Sequence, residues 1–245
     1  MTEWYAAQPA PRQTTRGGAE PVDGSGWVVF GAGGHARAVV DVLERLGETV
    51  AAVVGDAQGS TWHVEVIADD TAGLALVTDQ RLRAAVAIGA AGPRLRTLGQ
   101  LRETAGRGGG AGRPIEEVAP AVVATSATVA RTAVLGAGTI VLEHAHVGPA
   151  SRVGDGVIVN TGAIVEHDCT LGDGVHVAPG AALLGGASVG PRTLVGSGAR
   201  VLPRVTVGSD VTVGAGAVVV RSVEDGLVVL GVPATSAAAA TGGAS

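Results

Sequence analysis

An aliphatic residue stands at every sixth position from Val123 to Val219 without a gap. A small or β-branched residue precedes it by two positions, and Gly often follows it. A period of six matches neither the roughly 3.6 residues of a helical turn nor the simple alternation of a free strand. It is typical of short strands that tight turns bend into a stacked coil. Because three hexapeptides complete one turn, the seventeen positions predict a parallel β-helix of nearly six turns without long loops: Val123, Val129, Leu135, Val141, Val147, Val153, Val159, Val165, Leu171, Val177, Leu183, Val189, Val195, Val201, Val207, Val213 and Val219.

A different pattern precedes the repeat. Residues 27–30 predict a short apolar strand, a glycine-rich loop follows at residues 31–36, and apolar positions at helical spacing continue to Leu46 before Gly47. Further strands are predicted at residues 50–54, 64–67 and 82–88. Strands that alternate with helices in so short a length predict a small Rossmann-like α/β domain built on a parallel sheet.

These patterns divide the chain into four segments. Residues 1–25 are expected to be a disordered leader, 26–112 a Rossmann-like nucleotide-sugar-binding domain, 113–234 the β-helix and 235–245 a flexible tail. The leader contains several Pro and Gly residues, and the tail is rich in Ala, Gly and Ser, which favours loose ends on both sides of the folded part.

The loop after the first strand carries the first chemical signal. Gly31, Gly33 and Ala36 match the pattern G-x-G-x-x-A between a strand and a helix. Glycines at these positions let the backbone approach a phosphate, and the helix N-terminus supplies N–H donors. Asp56 closes the second strand, where such folds place a carboxylate against a ribose or base. The domain is too short for a dinucleotide fold, so a nucleotide-linked sugar is the expected ligand. The alternative is a tight turn that requires glycine.

Two histidines of the repeat are candidates for chemistry. His167 stands between Glu166 and Asp168, and we expect it to point outward near a corner, where a carboxylate can orient its ring and leave the other nitrogen as a base. His176 follows nine residues later, half of an 18-residue turn, so the two lie on different sides of the prism. They cannot easily meet within one subunit. In a trimer, His176 of one prism could approach His167 of the next. Three other histidines are expected at the surface: His63, His144 and His146.

Composition and charge narrow the range of possible partners and locations of the protein. The net charge is −5 and the 17 Lys and Arg residues are scattered, which argues against a nucleic-acid partner. The single cysteine, Cys169, excludes an internal disulfide and falls on an inward position of the repeat. No stretch approaches the roughly 18 apolar residues of a membrane span. The N-terminus lacks the pattern of a signal peptide, so a cytoplasmic protein without a membrane partner is expected.

Several stretches of the sequence form a specific combination. They are the glycine loop that ends in His35-Ala36, the segments 159–161 and 165–169, the run 171–180 and the closing Gly-Val-Pro-Ala at 231–234. This combination resembles the bacterial sugar acetyltransferases of the sialic acid O-acetyltransferase (NeuD/PglD-like) family. The resemblance implies a left-handed β-helix, a homotrimer, and acetyl-CoA bound in the groove between neighbouring β-helices.

The resemblance also implies roles for individual residues. His167 matches the general base and Asp168 its supporting carboxylate. The residues expected beside acetyl-CoA are His176 near the thioester, Gly185 as an N–H donor to the thioester oxygen, and Gly196, Ser197 and Ala215 along the pantetheine arm. Those expected around the nucleotide sugar are Gly31, Gly33, Gly34, His35, Asp56 and Gly89. One departure is that Ala90-Ala91-Gly92-Pro93 lacks the polar side chains common after this glycine in nucleotide-sugar enzymes.

The implied reaction is direct transfer of an acetyl group from acetyl-CoA to an amine or hydroxyl, without an acyl-enzyme. The acceptor is expected to be a nucleotide-linked 4-amino sugar or sialic acid. Two other functions stay open. A non-catalytic nucleotide-sugar-binding scaffold protein could retain the coil, and a γ-carbonic-anhydrase-like enzyme would need three histidines around a zinc ion. The histidines of the repeat lack a spacing that brings three together, so no metal site is expected.

Overall fold

The described part of the chain consists of an α/β domain followed by a β-helix. The computed structural model describes residues 26–57, 59, 61–107 and 112–236. The predicted leader, residues 1–25, lies outside the described residues, as do residues 237–245 of the predicted tail. The fold class predicted from the sequence is confirmed for both domains.

The α/β domain is built on a parallel sheet with the strand order β3-β2-β1-β4. Its strands are β1 (Gly26–Phe30), β2 (Thr49–Val54), β3 (Glu65–Ile67) and β4 (Arg83–Val86), which agree with the predicted strands apart from their ends. Its helices are α1 (Gly34–Arg45), α2 (Asp70–Asp79) and α3 (Ala91–Arg107), of which only α1 was predicted. The helices within the described ranges lack the run of apolar sequence needed to cross a bilayer.

Helices cover both faces of this sheet. Helix α1 buries Val39, Val40 and Leu43 against one face. The other face packs against α2 and α3, where Leu98 and Leu101 join Phe30 in a second apolar cluster. Because both faces are covered, β1 is buried along its whole length, as expected for a parallel strand. The loops at the carboxyl ends of the strands therefore remain as the open edge of the domain.

The β-helix begins after the short helix α4 (Ile115–Val118) and is made of strands of two residues, or three in β22, separated by turns. Its strands are β5 (Val122–Val123), β6 (Thr128–Val129), β7 (Val134–Leu135), β8 (Ile140–Val141), β9 (His146–Val147), β10 (Arg152–Val153), β11 (Ile158–Val159), β12 (Ile164–Val165), β13 (Thr170–Leu171), β14 (His176–Val177), β15 (Ala182–Leu183), β16 (Ser188–Val189), β17 (Leu194–Val195), β18 (Arg200–Val201), β19 (Thr206–Val207), β20 (Thr212–Val213), β21 (Val218–Val219), β22 (Val228–Leu230) and β23 (Thr235–Ser236).

These strands form three sheets, which are the sides of a triangular prism. We call the sheet of β5, β8, β11, β14, β17, β20, β22 and β23 the first face. The second face contains β6, β9, β12, β15, β18 and β21, and the third contains β7, β10, β13, β16 and β19. All neighbouring strands are parallel except β22 and β23, which are antiparallel. Because Thr235 and Ser236 form β23, they belong to the folded part and not to the predicted tail.

Identical positions of successive turns stack inside the prism. Val159 pairs with Val141 below it and with Val177 above it, a separation of one full turn on each side. The aliphatic residues of the repeat and the small residues two positions before them point inward together. Cys169 is one of the small inward residues and is fully buried, which confirms the prediction. Burial raises the pKa of its thiol, so the sulfur is a packing group.

The α/β domain packs on the first face of the prism. The outward residues of the lower turns, Val122, Ile140 and Ile158, are buried beneath it. Helix α3 lies along the edge between the third and first faces, where Gly174 approaches the side chain of Leu95 so closely that a Cβ atom would be 2.8 Å from it. Two ion pairs also join the domains: Arg102–Asp155 on this edge and Arg45–Glu143 on the edge between the first and second faces. The loops at the carboxyl ends of the parallel strands are thereby held next to β14.

Candidate active site

The predicted site residues occupy three separate parts of the β-helix. His167 lies in the turn between β12 and β13, on the edge between the second and third faces. His176 lies in β14 on the first face, which is opposite that edge in a triangular prism. Gly196, Ser197 and Ala215 lie on the edge between the first and second faces. The prediction that the two histidines belong to different sides of one prism is therefore confirmed.

His167 and Asp168 form a hydrogen-bonded pair on their edge, which we call the base edge (turn residues 166–169, 184–187 and 202–205). Nδ1 of His167 lies 2.7 Å from Oδ2 of Asp168. A carboxylate accepts, so the ring donates from Nδ1 and its Nε2 carries the free lone pair. Asp168 has a φ of +60°, a left-handed conformation that Asp tolerates better than most residues. Both side chains are more than half exposed, at 60% and 65%, so the pair faces outward from this chain.

The next turn of the base edge supports the imidazole ring. A Cβ atom on Gly185 would lie 2.6 Å from Nε2 of His167, so the ring rests directly on the glycine backbone. The N–H of Gly186 donates to the carbonyl oxygen of His167 and fixes the two turns together. In the described part of the chain, the N–H of Gly185 makes no backbone hydrogen bond. A backbone donor and a ring acceptor are therefore next to each other.

A cavity of about 390 Å³ opens on the base edge beside this pair. It is lined by His167, Asp168, Gly185, Gly186, Pro203 and Arg204. Arg204 stands two turns above Asp168 in the same left-handed position of the turn, with a φ of +61°. The cavity thus contains a ring nitrogen able to accept a proton and a guanidinium group able to face an anion.

His176 occupies a different environment on the first face. Nε2 of His176 lies 3.0 Å from Nδ2 of Asn160, whose Oδ1 accepts from the N–H of Thr161 at 2.8 Å. Since Asn160 donates to it, Nε2 accepts and the proton of the ring is on Nδ1. Burial, with smaller contributions from the charge of Arg94 and from His35, lowers the pKa of His176 to about 4. The ring is therefore neutral at pH 7.

The α/β domain reaches this histidine through the loop after β4. Gly89, Ala90 and Ala91 line a cavity of about 160 Å³ together with His176 and Arg192. The cavity also touches Gly174, Thr193 and Leu194. Ala90 and Ala91, the departure noted in the sequence, leave this side of the cavity apolar. Gly89, predicted to lie beside the nucleotide sugar, thus lines the same cavity as His176, predicted to lie beside acetyl-CoA.

The other predicted substrate residues follow the neighbouring strands. Gly31 follows β1 with a φ of +114°, and a Cβ atom there would lie 2.4 Å from the carbonyl oxygen of Ala87. Gly33 and Gly34 open into free space at the start of α1, and Asp56 is exposed after β2. Loops after β1, β2 and β4 thus meet at the carboxyl edge of the sheet, where parallel sheets bind their ligands.

His35 lies in the first turn of α1, and its Nε2 is buried without a hydrogen-bond partner in the structure. Burial, and secondarily the charge of Arg94, lowers the pKa of His35 to about 4. A buried polar atom without a partner costs free energy unless a ligand or water supplies one. The atom is consistent with a ligand group at this loop.

The surface histidines predicted from the sequence show no such arrangement. Nε2 of His63 contacts Glu44 at 2.5 Å, Nδ1 of His146 contacts Oγ1 of Thr128 at 2.7 Å, and His144 is exposed on a turn. Among residues 26–57, 61–107 and 112–236, no three His, Cys, Asp or Glu side chains converge in a way that could hold a metal ion.

Comparisons with known proteins agree with this geometry. The sequence profile of the PglD N-terminal domain matches residues 27–101, and the bacterial transferase hexapeptide profile matches residues 150–185 and 186–221. The acetyltransferase domain of PglB from Neisseria gonorrhoeae, solved with acetyl coenzyme A, is 34% identical with a TM-score of 0.77, and the match covers 87% of this chain and 100% of that one. The chain belongs to the PglD-like sugar acetyltransferases.

Two further structures extend the comparison. PerB from Caulobacter crescentus, solved with CoA and GDP-perosamine, is 41% identical with a TM-score of 0.77, covering 87% of this chain and 97% of that one. WeeI from Acinetobacter baumannii shares the fold at 23% identity, with a TM-score of 0.74 and coverage of 86% and 99%. A comparison with curated proteins gives no significant match. As in other PglD-like acyltransferases, the prism is a left-handed β-helix.

Sequence reasoning missed three residues of this PglD-like site. Asn160 was part of a recognised motif, but its contact with His176 spans nearly one turn of the coil. Arg204 follows a proline in an ordinary repeat, and its place above Asp168 emerges only by counting two turns of 18 residues. Arg94 looked like one of many scattered cations. Its contacts depend on how the two domains pack, which no local pattern indicates.

Proposed function

We propose that the protein transfers the acetyl group of acetyl-CoA to an amine of a nucleotide-linked sugar, with His167 as the general base. The observation that carries the proposal is the pair on the base edge. The carboxylate of Asp168 holds Nδ1 of His167 at 2.7 Å, and Nε2 remains as a proton acceptor over Gly185. This is the arrangement by which a carboxylate orients a catalytic imidazole.

The reaction needs one group that accepts a proton and one hydrogen-bond donor that stabilises the oxyanion. Nε2 of His167 takes the proton of the acceptor amine as its nitrogen attacks the thioester carbonyl carbon, a contribution of about 10²–10⁴ in other enzymes. The C–S bond then breaks, and the imidazolium returns the proton to the departing thiolate of CoA. The carboxylate of Asp168 stabilises the imidazolium between these two transfers. No acyl-enzyme forms, in keeping with the inward position of Cys169.

The N–H of Gly185 is suited to the second requirement. It lies beside Nε2 of His167 and has no backbone acceptor within the described residues. A rigid backbone donor aimed at the thioester oxygen stabilises the charge that develops there, and removing one such donor costs about 10²–10³ in rate elsewhere. We assign Gly196, Ser197 and Ala215, one edge away, to the pantetheine arm of a CoA bound along a neighbouring subunit.

The two halves of the site face in opposite directions, so we infer that copies of the chain complete it. The base edge presents His167, and the first face presents His176, Gly89 and the nucleotide loop. A surface that binds a different surface of the next copy generates a ring when the rotation closes. Three copies suit a triangular prism, and the homotrimer would bring His176 of one subunit toward His167 of the next.

The relatives support an amino sugar as the acceptor. PerB, at 41% identity, was solved with GDP-perosamine, a nucleotide-linked amino sugar. The carboxyl edge of the sheet, with its open glycines Gly33 and Gly34 and the buried His35, supports such a diphosphate ligand. A 4-amino sugar is therefore our first acceptor, ahead of a hydroxyl of sialic acid. Because acetyl-CoA and nucleotide sugars are made in the cytoplasm, we place the activity there.

The direct experiment is an acetyl-transfer assay with purified protein, acetyl-CoA and a panel that contains GDP-perosamine, UDP-linked 4-amino sugars and sialic acid. Release of free CoA thiol and the acetylated product by mass spectrometry should rise together with one panel member. His167→Asn should abolish both, whereas His144→Asn, an exposed histidine in a turn conformation that Asn tolerates, should leave both unchanged. Binding of a nucleotide sugar without any transfer would replace the proposal by the scaffold function.

A further inference from the structure

Arg94, in the first turn of α3, is the most deeply buried cation among the described residues, with no exposed surface. Its Nε donates to the carbonyl oxygen of Gly156 at 2.6 Å, and its Nη2 donates to that of Gly174 at 2.6 Å. Its Nη1 donates to the carbonyl oxygens of Ile88 and Gly89 at 2.8 and 2.6 Å. One planar guanidinium group therefore joins three segments of backbone.

These carbonyls come from the two domains. Ile88 and Gly89 belong to the loop after β4, at the carboxyl edge of the sheet. Gly156 and Gly174 are equivalent positions of two successive turns of the β-helix, eighteen residues apart, on the edge against which α3 packs. His176 follows Gly174 by two residues. The guanidinium thus fixes the loop of Gly89 relative to the strand that presents His176.

A packing role alone does not explain a charged group at this place. A buried cation loses its hydration, so it needs compensating partners inside the protein. Within the part of the chain that the structure describes, Arg94 makes no ion pair with a carboxylate, and its compensation is four carbonyl dipoles. Burial lowers the pKa of its guanidinium only to about 10, so the charge persists at neutral pH.

Arg94 lies next to the part of the site that is predicted to bind the nucleotide sugar. The loop that it holds lines the 160 Å³ cavity with His176, and its charge acts on both His176 and His35. Beside these two neutral imidazoles, Arg94 adds a buried positive charge that no carboxylate of the described residues pairs with. An anionic ligand such as a nucleoside diphosphate is favoured there.

We propose that Arg94 is a positioning residue for the nucleotide-sugar side of the site: it sets the distance from the Gly89 loop to the His176 strand and adds charge that favours a diphosphate. The inference rests on the proposed function, because it concerns the part of the proposed site that binds the nucleotide sugar. It does not require Arg94 to touch the substrate.

The test compares two variants with a matched control. Arg94→Lys keeps the charge but cannot serve four carbonyls in the planar arrangement of a guanidinium. Arg94→Met keeps the aliphatic stem and removes the charge. Arg102→Lys is the control, because Arg102 also joins α3 to the β-helix, through Asp155 at 2.7 Å, but lies at the surface far along the helix from Gly89.

The readouts separate binding from chemistry. Calorimetry with GDP-perosamine and with acetyl-CoA gives the two dissociation constants without any acetyl transfer, and hydrogen exchange follows the peptide that contains residues 86–92. We expect Arg94→Lys to weaken GDP-perosamine binding about tenfold, the equivalent of ~1.4 kcal/mol. Its acetyl-CoA constant should stay within about twofold of the wild type. Exchange at residues 86–92 should accelerate, and Arg102→Lys should match the wild type throughout. Where Arg94→Met folds, it should bind GDP-perosamine still more weakly.

Two results would overturn the inference. One is unchanged GDP-perosamine binding in Arg94→Lys. The other is an equal loss of GDP-perosamine and acetyl-CoA binding, which indicates general damage to the fold. Wild-type protein that binds GDP-perosamine but never acetylates it contradicts the proposed function and leaves the Arg94 test intact. Wild-type protein that binds no nucleotide sugar of the panel contradicts both, and where another panel member binds in place of GDP-perosamine, that member is the probe for the same comparison.

Discussion

The imidazole ring of His167 rests on the backbone of Gly185, one turn above it, so that a Cβ atom on the glycine would lie 2.6 Å from Nε2 and 2.7 Å from Cε1. Real Cβ atoms do not come so close to another heavy atom. The glycine therefore does two things: it leaves room for the ring, and it presents an N–H beside Nε2, the nitrogen that we propose accepts the proton.

Gly185→Ala should disable the enzyme without unfolding it. The added methyl group displaces the ring of His167 from its place over the backbone, and we expect kcat to fall about 10²-fold or more, within the range of lost general-base catalysis. Steady-state kinetics and a thermal melt measure the two effects. Gly99→Ala, at an open position of α3, is the control and should keep full activity with equal or slightly higher stability. Full activity of Gly185→Ala would contradict the assigned ring position.

Asp168→Asn should lower kcat while the fold is kept. Asn accepts the left-handed conformation at this turn, with a φ of +60°, but it cannot stabilise an imidazolium as a carboxylate does. We expect a loss of about 10²-fold in kcat with little change in the KM for acetyl-CoA.

The matched control for this variant is Asp225→Asn. Asp225 is also an exposed carboxylate in a turn of the coil, where its Oδ1 accepts from the N–H of Ser209 at 2.7 Å, a contact that the Oδ1 of Asn can keep. It should retain wild-type kcat. Equal kinetics of the two variants would show that the carboxylate of Asp168 has no part in the reaction.

The protein should lose stability as the pH falls from about 6.5 to about 4. His35 and His176 have folded pKa values lowered to about 4, whereas an imidazole in the unfolded chain has its ordinary pKa of 6.5. Between these values the unfolded state binds more protons than the folded state, so protonation favours unfolding. The contribution is on the order of 3 kcal/mol at most for each ring.

Denaturant melts at several pH values measure this effect. His176→Asn should reduce the slope of stability against pH in that window. A wild-type stability that stays constant from pH 6.5 to 4 would contradict the buried neutral state of both histidines.

The strongest predictions from the sequence were the positions of residues in the coil, which the six-residue period determines. Val159 and Val177 occupy equivalent inward positions because the hexapeptide repeats without a gap, and the same count turned Cys169 inward and separated His167 from His176. No helix was predicted over α3, whose sequence contains Gly92, Pro93 and Gly99, residue types that disfavour a helix. Pro93 lies in the first turn of the helix, where its missing N–H has no intrahelical partner to lose.

The role of Arg94 could not be predicted for a different reason. Its four acceptors come from sequence positions five to eighty residues away and from two domains. A guanidinium can serve such a set only after the domains have packed, and neither spacing nor composition indicates that packing. The same holds for Asn160 and His176, which are neighbours only across successive turns.

The shared site is the central claim, and mixed oligomers test it most directly. His167→Ala and His176→Ala chains, each inactive alone, are co-expressed with two different tags, and oligomers carrying both tags are purified. If His167 of one subunit works with His176 of the next, each mixed trimer has one intact site out of three, so the purified mixed oligomers should show about one third of the wild-type activity per site. Activity that stays at the level of the inactive parents would contradict a site built between subunits.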